Sequence, residues 1–151
     1  MKTLDQCRIR APIADVFRAA SSVEAWPQLL PHYRRVTVLE RRSDGSSIVE
    51  MAAWRPFGPA RWPVWWVSDM RSDGAARTIR YRHIKGVTAG MDVIWRLVED
   101  GAVTGVSIEH RWSGPRWPVI GPAAAVLVIG PVFIHGIASR TLAGLAAVLE
   151  T

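Results

Sequence analysis

Cysteine occurs once, at Cys7, in a chain of 151 residues. A single thiol closes no internal disulfide and builds no cysteine-based zinc site, so stability must come from a buried core. Histidine is also scarce. His32, His83, His110 and His135 form no HxxxH or HExxH spacing, and no carboxylate stands at ligand spacing beside them. The sequence therefore predicts no metal and no cofactor. There is no GxSxG, and Gly86-Val87-Thr88-Ala89-Gly90 lacks the lysine of a phosphate loop. Met1 to Arg8 carry no apolar run of the kind that exports a protein, so the expected location is the cytoplasm. No run of five like charges occurs either.

The charge that is present is net positive, +6, and each half of the chain carries +3. An excess spread so evenly forms no basic tail, and no nucleic-acid partner is expected. Apolar residues make up 49% of the chain, with eight tryptophans, which excludes a disordered protein. The length suits one domain, 1–151. From Trp117 to Ser139 there is no charged residue, and Arg116 and Arg140 flank the stretch. Such a run is long enough to span ~30 Å of hydrocarbon. Gly121-Pro122 and Gly130-Pro131 break it, however, and His135 sits inside. It reads as buried helical segments, with contact at a membrane surface as a secondary expectation.

Residues 2–10 are β-compatible. Ala11-Pro12 then opens a helix in which Ile13, Val16, Phe17 and Ala20 share a face. Val23, Trp26 and Leu30 form a second short apolar stripe, stopped by Pro31. Six strands follow: 36–42, 48–55, 62–71, 78–85, 91–99 and 103–112. Ser43-Asp44-Gly45-Ser46, Ser72-Asp73-Gly74 and Asp100-Gly101 supply turns, and Pro56-Phe57-Gly58-Pro59 reads as a loop. Residues 86–90 connect the fourth and fifth of these six strands. Ile134, Ile137, Thr141, Leu145 and Val148 then return at helical spacing, predicting a helix over 132–149. It has a less regular helical approach from about 120 and a kink at Gly130-Pro131. The order is β-α-α-β6-α. The class is α+β, a curved antiparallel sheet with a long C-terminal helix lying in its grip.

Period-2 parity sorts the strand faces. One face takes Val64, Trp66, Ser68 and Met70; then Ile79, Tyr81 and His83; then Met91, Val93, Trp95 and Leu97; then Val106, Ile108, His110 and Trp112. The other takes Asp69, Arg71, Arg80, Arg82, Asp92, Arg96, Glu109 and Arg111, which accounts for the basic charge as a solvated back. A concave face that is apolar with a few polar insertions fits a pocket for an apolar ligand.

Ile9-Arg10-Ala11-Pro12-Ile13-Ala14-Asp15-Val16-Phe17 resembles the opening of the START-like (SRPBCC, helix-grip) superfamily, as does Val23-Glu24-Ala25-Trp26-Pro27 followed by Leu30-Pro31-His32-Tyr33. Gly90 to Trp95, Ile108-Glu109-His110 and Ile137 to Leu145 are similar to its polyketide cyclase/dehydrase and coenzyme Q-binding branch. The resemblance covers nearly the whole chain. It implies the helix-grip fold and an internal ligand, but it spans carriers, cyclases and partners of other proteins.

The leading expectation is a binder of a lipid, quinone or polyketide. A polyketide aromatase/cyclase is the alternative, and a ribosome-associated interaction protein, with the arginine face as contact, is a further one. The expected cavity lining is Trp66, Ser68, Tyr81, His83, Met91, Val93, Trp95, His110, Trp112, Ile134, Ile137 and Thr141. If the chain catalyses aldol closure, Tyr81, His83 and His110 are the candidates to move protons, and Arg55 or Arg140 to anchor a phosphate or enolate. Trp54, Trp62, Trp65 and Trp66 crowd one strand pair. Trp65 and Trp66 are adjacent, so one must face outward, as a homodimer contact, a lid or a membrane-touching rim.

Overall fold

The computed structural model describes residues 1–57, 60–86, 88–113 and 131–151, with the side chains of all of these except 55–57, 60, 62 and 131–133. Strand β1 (Lys2–Ile9) leads into helix α1 (Ile13–Ser21), one 3-10 turn (Val23–Ala25) and helix α2 (Trp26–Leu29). Six strands follow: β2 (Tyr33–Arg41), β3 (Ser47–Phe57), β4 (Ala60–Asp73), β5 (Thr78–Gly86), β6 (Asp92–Asp100) and β7 (Val103–Arg111). Helix α3 (Pro131–Leu149) ends the fold. The β-α-α-β6-α order of the sequence reading is thus the observed one. Several strand boundaries differ. Pro56 and Phe57 extend β3, pairing with Arg61 and Ala60, instead of forming a loop. The predicted helical approach before residue 131 lies outside the described residues.

The seven strands form one antiparallel sheet in the order β1-β7-β6-β5-β4-β3-β2. Only the first connection, through α1 and α2, carries the chain from one sheet edge to the other. It crosses the concave face and packs against α3 there. Local chemistry sets the turns. Gly45 and Gly101 take positive φ, and the Asp44 carboxylate accepts from the Ser46 amide at 2.9 Å and its hydroxyl at 2.6 Å. Asp73 Oδ1 accepts from the amides of Ala75 and Ala76, each at 3.0 Å.

Helix α3 turns Ile134, Ile137, Ala138, Thr141, Leu142 and Leu145 toward the sheet, all nearly or fully buried. Val148, the last of the predicted stripe, is 39% exposed in the final turn. The opposing sheet face buries Val49, Met51, Trp66, Met70, Ile79, Tyr81, Val93, Trp95 and Ile108. Each large aromatic ring removes ~150–250 Å² from water, worth at most about 4–6 kcal/mol at ~25 cal/mol/Å². A polar clasp joins helix to edge strand as well. Asp5 of β1 is buried, and its Oδ1 bonds Nδ1 of the exposed His135 on α3.

The seam between β5 and β6 is short. It pairs only from Thr78↔Arg96 to Arg82↔Asp92. Beyond it the strands give way to a turn at residues 88–90, held by His83 N donating to Met91 O at 2.9 Å and Gly90 N donating to His83 O at 2.8 Å.

Candidate functional site: an internal cavity with uncharged polar groups

A cavity of about 70 Å³ lies between the sheet and α3. The sheet contributes Met51, Trp66, Tyr81, His83, Val93, Trp95, Ile108 and His110, with Thr88 and Met91 from the β5–β6 turn. Helix α3 contributes Ile134, Ile137, Ala138 and Thr141, while Trp26 and Tyr33 close one side. The aromatic part is tightly tiled. Trp26 lies 5.0 Å from Tyr33 and 5.8 Å from Trp95, centroid to centroid. Its indole N–H is satisfied elsewhere, by Ala19 O at 3.1 Å, so its ring is free to serve as wall.

Four polar side chains in the wall are tied down. His83 Nδ1 meets Thr88 Oγ1 at 2.6 Å, and the His83 ring stacks on Trp66 at 5.8 Å with 6° between planes. On the opposite wall, the Thr141 hydroxyl donates to Ile137 O at 2.8 Å. Its one proton being spent, its oxygen accepts from Tyr33 Oη at 3.0 Å and from His32 Nε2 at 3.1 Å. Tyr81 Oη and His110 Nδ1, by contrast, are buried without a hydrogen-bond partner among the described residues. They stand on one sheet row, because Tyr81 pairs with Val93 and Val93 with His110.

Burial holds every titratable group of the wall uncharged. Desolvation, then the nearby His110, pushes His83 down to about 3, and desolvation pushes His110 down to about 4. Desolvation raises Tyr33 and Tyr81 well above the ordinary phenol range. At neutral pH the wall therefore presents neutral imidazoles and phenols, and no charged side chain lines it among the described residues.

Ten of the twelve residues expected in the lining are there: Trp66, Tyr81, His83, Met91, Val93, Trp95, His110, Ile134, Ile137 and Thr141. Ser68 and Trp112 are not. Ser68 is fully buried, but its side chain is small, and its neighbours along and across the strands, Trp66 and His83, are large rings stacked on each other. Trp112 follows the end of β7, where strand parity no longer applies, and its N–H donates to Ala89 O at 3.2 Å. Arg140 is exposed on α3 and away from the cavity, since it occupies the helix's solvent side. The Arg55 side chain lies outside the described residues.

The sequence reading misses Trp26, Tyr33, Met51, Thr88, Ile108 and Ala138 as lining. Ile108 had the right parity, and Met51 shares a face with Val49 and Ala53. Tyr33 was hidden by a strand start placed at Val36; a bulge between Tyr33 and Arg35 shifts the register there.

Residues 9–130 match the family of polyketide cyclases/dehydrases and lipid transport proteins. A Streptomyces halstedii protein named for polyketide cyclase activity is 32% identical over 95 residues, 62% of this chain and 84% of that one. Among solved structures, the Zhui aromatase/cyclase from Streptomyces sp. R1128 superposes with a TM-score of 0.82 at 18% identity, covering 99% of this chain and 93% of that one. A START superfamily protein from Mycobacterium smegmatis gives 0.76 at 16%, covering 99% and 97%. The family match runs from the end of β1 up to the start of α3 and so takes in the whole sheet wall of the cavity: the chain belongs to the polyketide cyclase/dehydrase and lipid transport family.

Proposed function

We propose that the protein binds a neutral, largely apolar or aromatic small molecule in this cavity, with Tyr81 and His110 supplying its polar contacts. The observation that carries the reading is a wall of aromatic and aliphatic groups with uncharged polar atoms left unpartnered. Burying a hydroxyl or imidazole nitrogen without a partner is costly, and a ligand oxygen opposite them removes that cost. A carboxylate or phosphate would meet no cation there among the described residues, so anionic ligands are disfavoured.

Turnover as a polyketide cyclase is the second reading, favoured by the Streptomyces halstedii relative. In it, His83 or His110 takes a proton from a ketide carbon while Tyr81 donates to the enolate oxygen. Bases held near 3 and 4 and a phenol pushed upward give weak driving force for proton transfer at neutral pH, which ranks binding first.

The test uses N-phenyl-1-naphthylamine, a neutral fluorescent aromatic. Saturable binding that is abolished by Ala138→Phe, which fills the cavity, is expected, with 1,4-naphthoquinone competing far better than 2-naphthoate. No binding, or equal binding by folded Ala138→Phe, overturns the reading. Cyclisation of a poly-β-ketone that is lost in Tyr81→Phe or His83→Ala would establish the second reading instead.

A further inference from the structure

On the outer face of the sheet, two guanidinium groups lie over the Trp54 ring. Arg34 Cζ is 4.6 Å from its ring centroid and Arg61 Cζ 4.8 Å. Each contact is a favourable cation–π arrangement, yet together they bring two like charges to one ring. Arg34 and Arg61 are exposed and in no ion pair among the described residues; Glu50, on the same strand as Trp54, is engaged by Arg35 at 2.9 Å. The residues outside the described set include no Asp or Glu that could complete the cluster. Trp65 is 38% exposed and Ile84 45% exposed. Ile84 is the extra residue of a bulge, since Val67 pairs with Lys85 and Ser68 with His83. This surface is therefore cationic and apolar together, and it backs the cavity wall formed by Trp66 and His83.

We propose that this surface docks on an anionic phospholipid bilayer. Arginines reach lipid phosphates, while an exposed indole and isoleucine enter the headgroup boundary, which suits amphipathic rings. A nucleic acid fits less well, because two guanidinium groups already lie over the Trp54 ring and compete with a base that would stack on it. The proposal goes beyond ligand binding and does not depend on what occupies the cavity.

The full chain is sedimented with vesicles of phosphatidylcholine alone and of phosphatidylcholine mixed with phosphatidylserine. Binding to the mixed vesicles only, released by high salt, is expected. The double variant Arg34→Gln/Arg61→Gln loses affinity roughly thirtyfold, about fivefold per arginine removed near the surface. Arg8→Gln/Arg10→Gln, an equal charge loss at the opposite end of the strand order, keeps nearly all of it. If the first double variant does not fold, Ile84→Ser/Lys85→Gln carries the same expectation of weakened binding. Failure to sediment, equal loss from the Arg8 and Arg10 changes, undiminished binding by the folded surface variants, or binding to duplex DNA without binding to vesicles each overturns the proposal.

Discussion

Tyr81 and His110 stand two strands apart on one cross-strand row, with Val93 between them, and each buries a polar atom that lacks a partner among the described residues. An unpartnered buried hydroxyl is a cost carried by the folded state. Tyr81→Phe removes it with almost no change of shape. The expected outcome is a stability unchanged or raised by up to about 1 kcal/mol in urea denaturation, with weaker binding of the aromatic probe. A loss above ~2 kcal/mol would mean that the hydroxyl has a partner in the folded protein.

His83 and His110 make stability fall in acid. Their folded values lie near 3 and 4, below the ordinary 6.5. A depressed histidine binds protons more readily when unfolded, so lowering the pH favours unfolding. The loss starts as pH falls through about 6.5 and continues to the folded values. By pH 4 the two together cost several kcal/mol, at ~1.4 kcal/mol per pH unit for each. Thermal melts across pH 4–7 check the sign, and His110→Gln should flatten the slope.

Thr141→Val keeps the shape of α3 and deletes the oxygen that serves both Tyr33 and His32. Two donors are then left in or near the core. A destabilisation of about 1–3 kcal/mol is expected by denaturant titration, and Thr141→Ser should recover most of it.

Gly86 and Gly45 both have positive φ, 98° and 87°, but their surroundings differ. A Cβ on Gly86 would sit 2.9 Å from Trp66 Cα and closer still to the Trp65 carbonyl oxygen, whereas one on Gly45 meets nothing within 4 Å. Gly45→Ala should cost only the conformational strain, ~1 kcal/mol. Gly86→Ala adds a backbone clash and should cost at least ~3 kcal/mol, or prevent folding, which expression and melting temperature will separate.

Much of this architecture is legible because strands have a period of two. Alternation alone places Tyr81, His83, Val93, Trp95 and His110 on one face, and the Asp-Gly pairs mark the hairpins. What fails is wherever periodicity stops. Trp112 lies one residue past a strand end, and Tyr33 precedes a bulge. Ser68 has the right parity, but it is small beside its neighbours Trp66 and His83, and relative side-chain size has no signature in spacing. The Tyr33–Thr141 bond joins positions 108 residues apart, which one sequence read alone cannot pair.

The short seam between β5 and β6 is the place where the sheet beside the cavity opens at least cost in pairing. Past Arg82↔Asp92 two backbone bonds, both involving His83, hold the strands, and the same residue's imidazole stands in the cavity wall. Parting the sheet there sacrifices less pairing than at its longer ladders, so local fraying and passage of a ligand become one event. Occupancy should therefore register as slowed amide exchange at His83 and Gly90 while the β3–β4 ladder is unaffected. The rate at which the cavity fills is then governed by the looseness of the sheet as well as by the width of an opening.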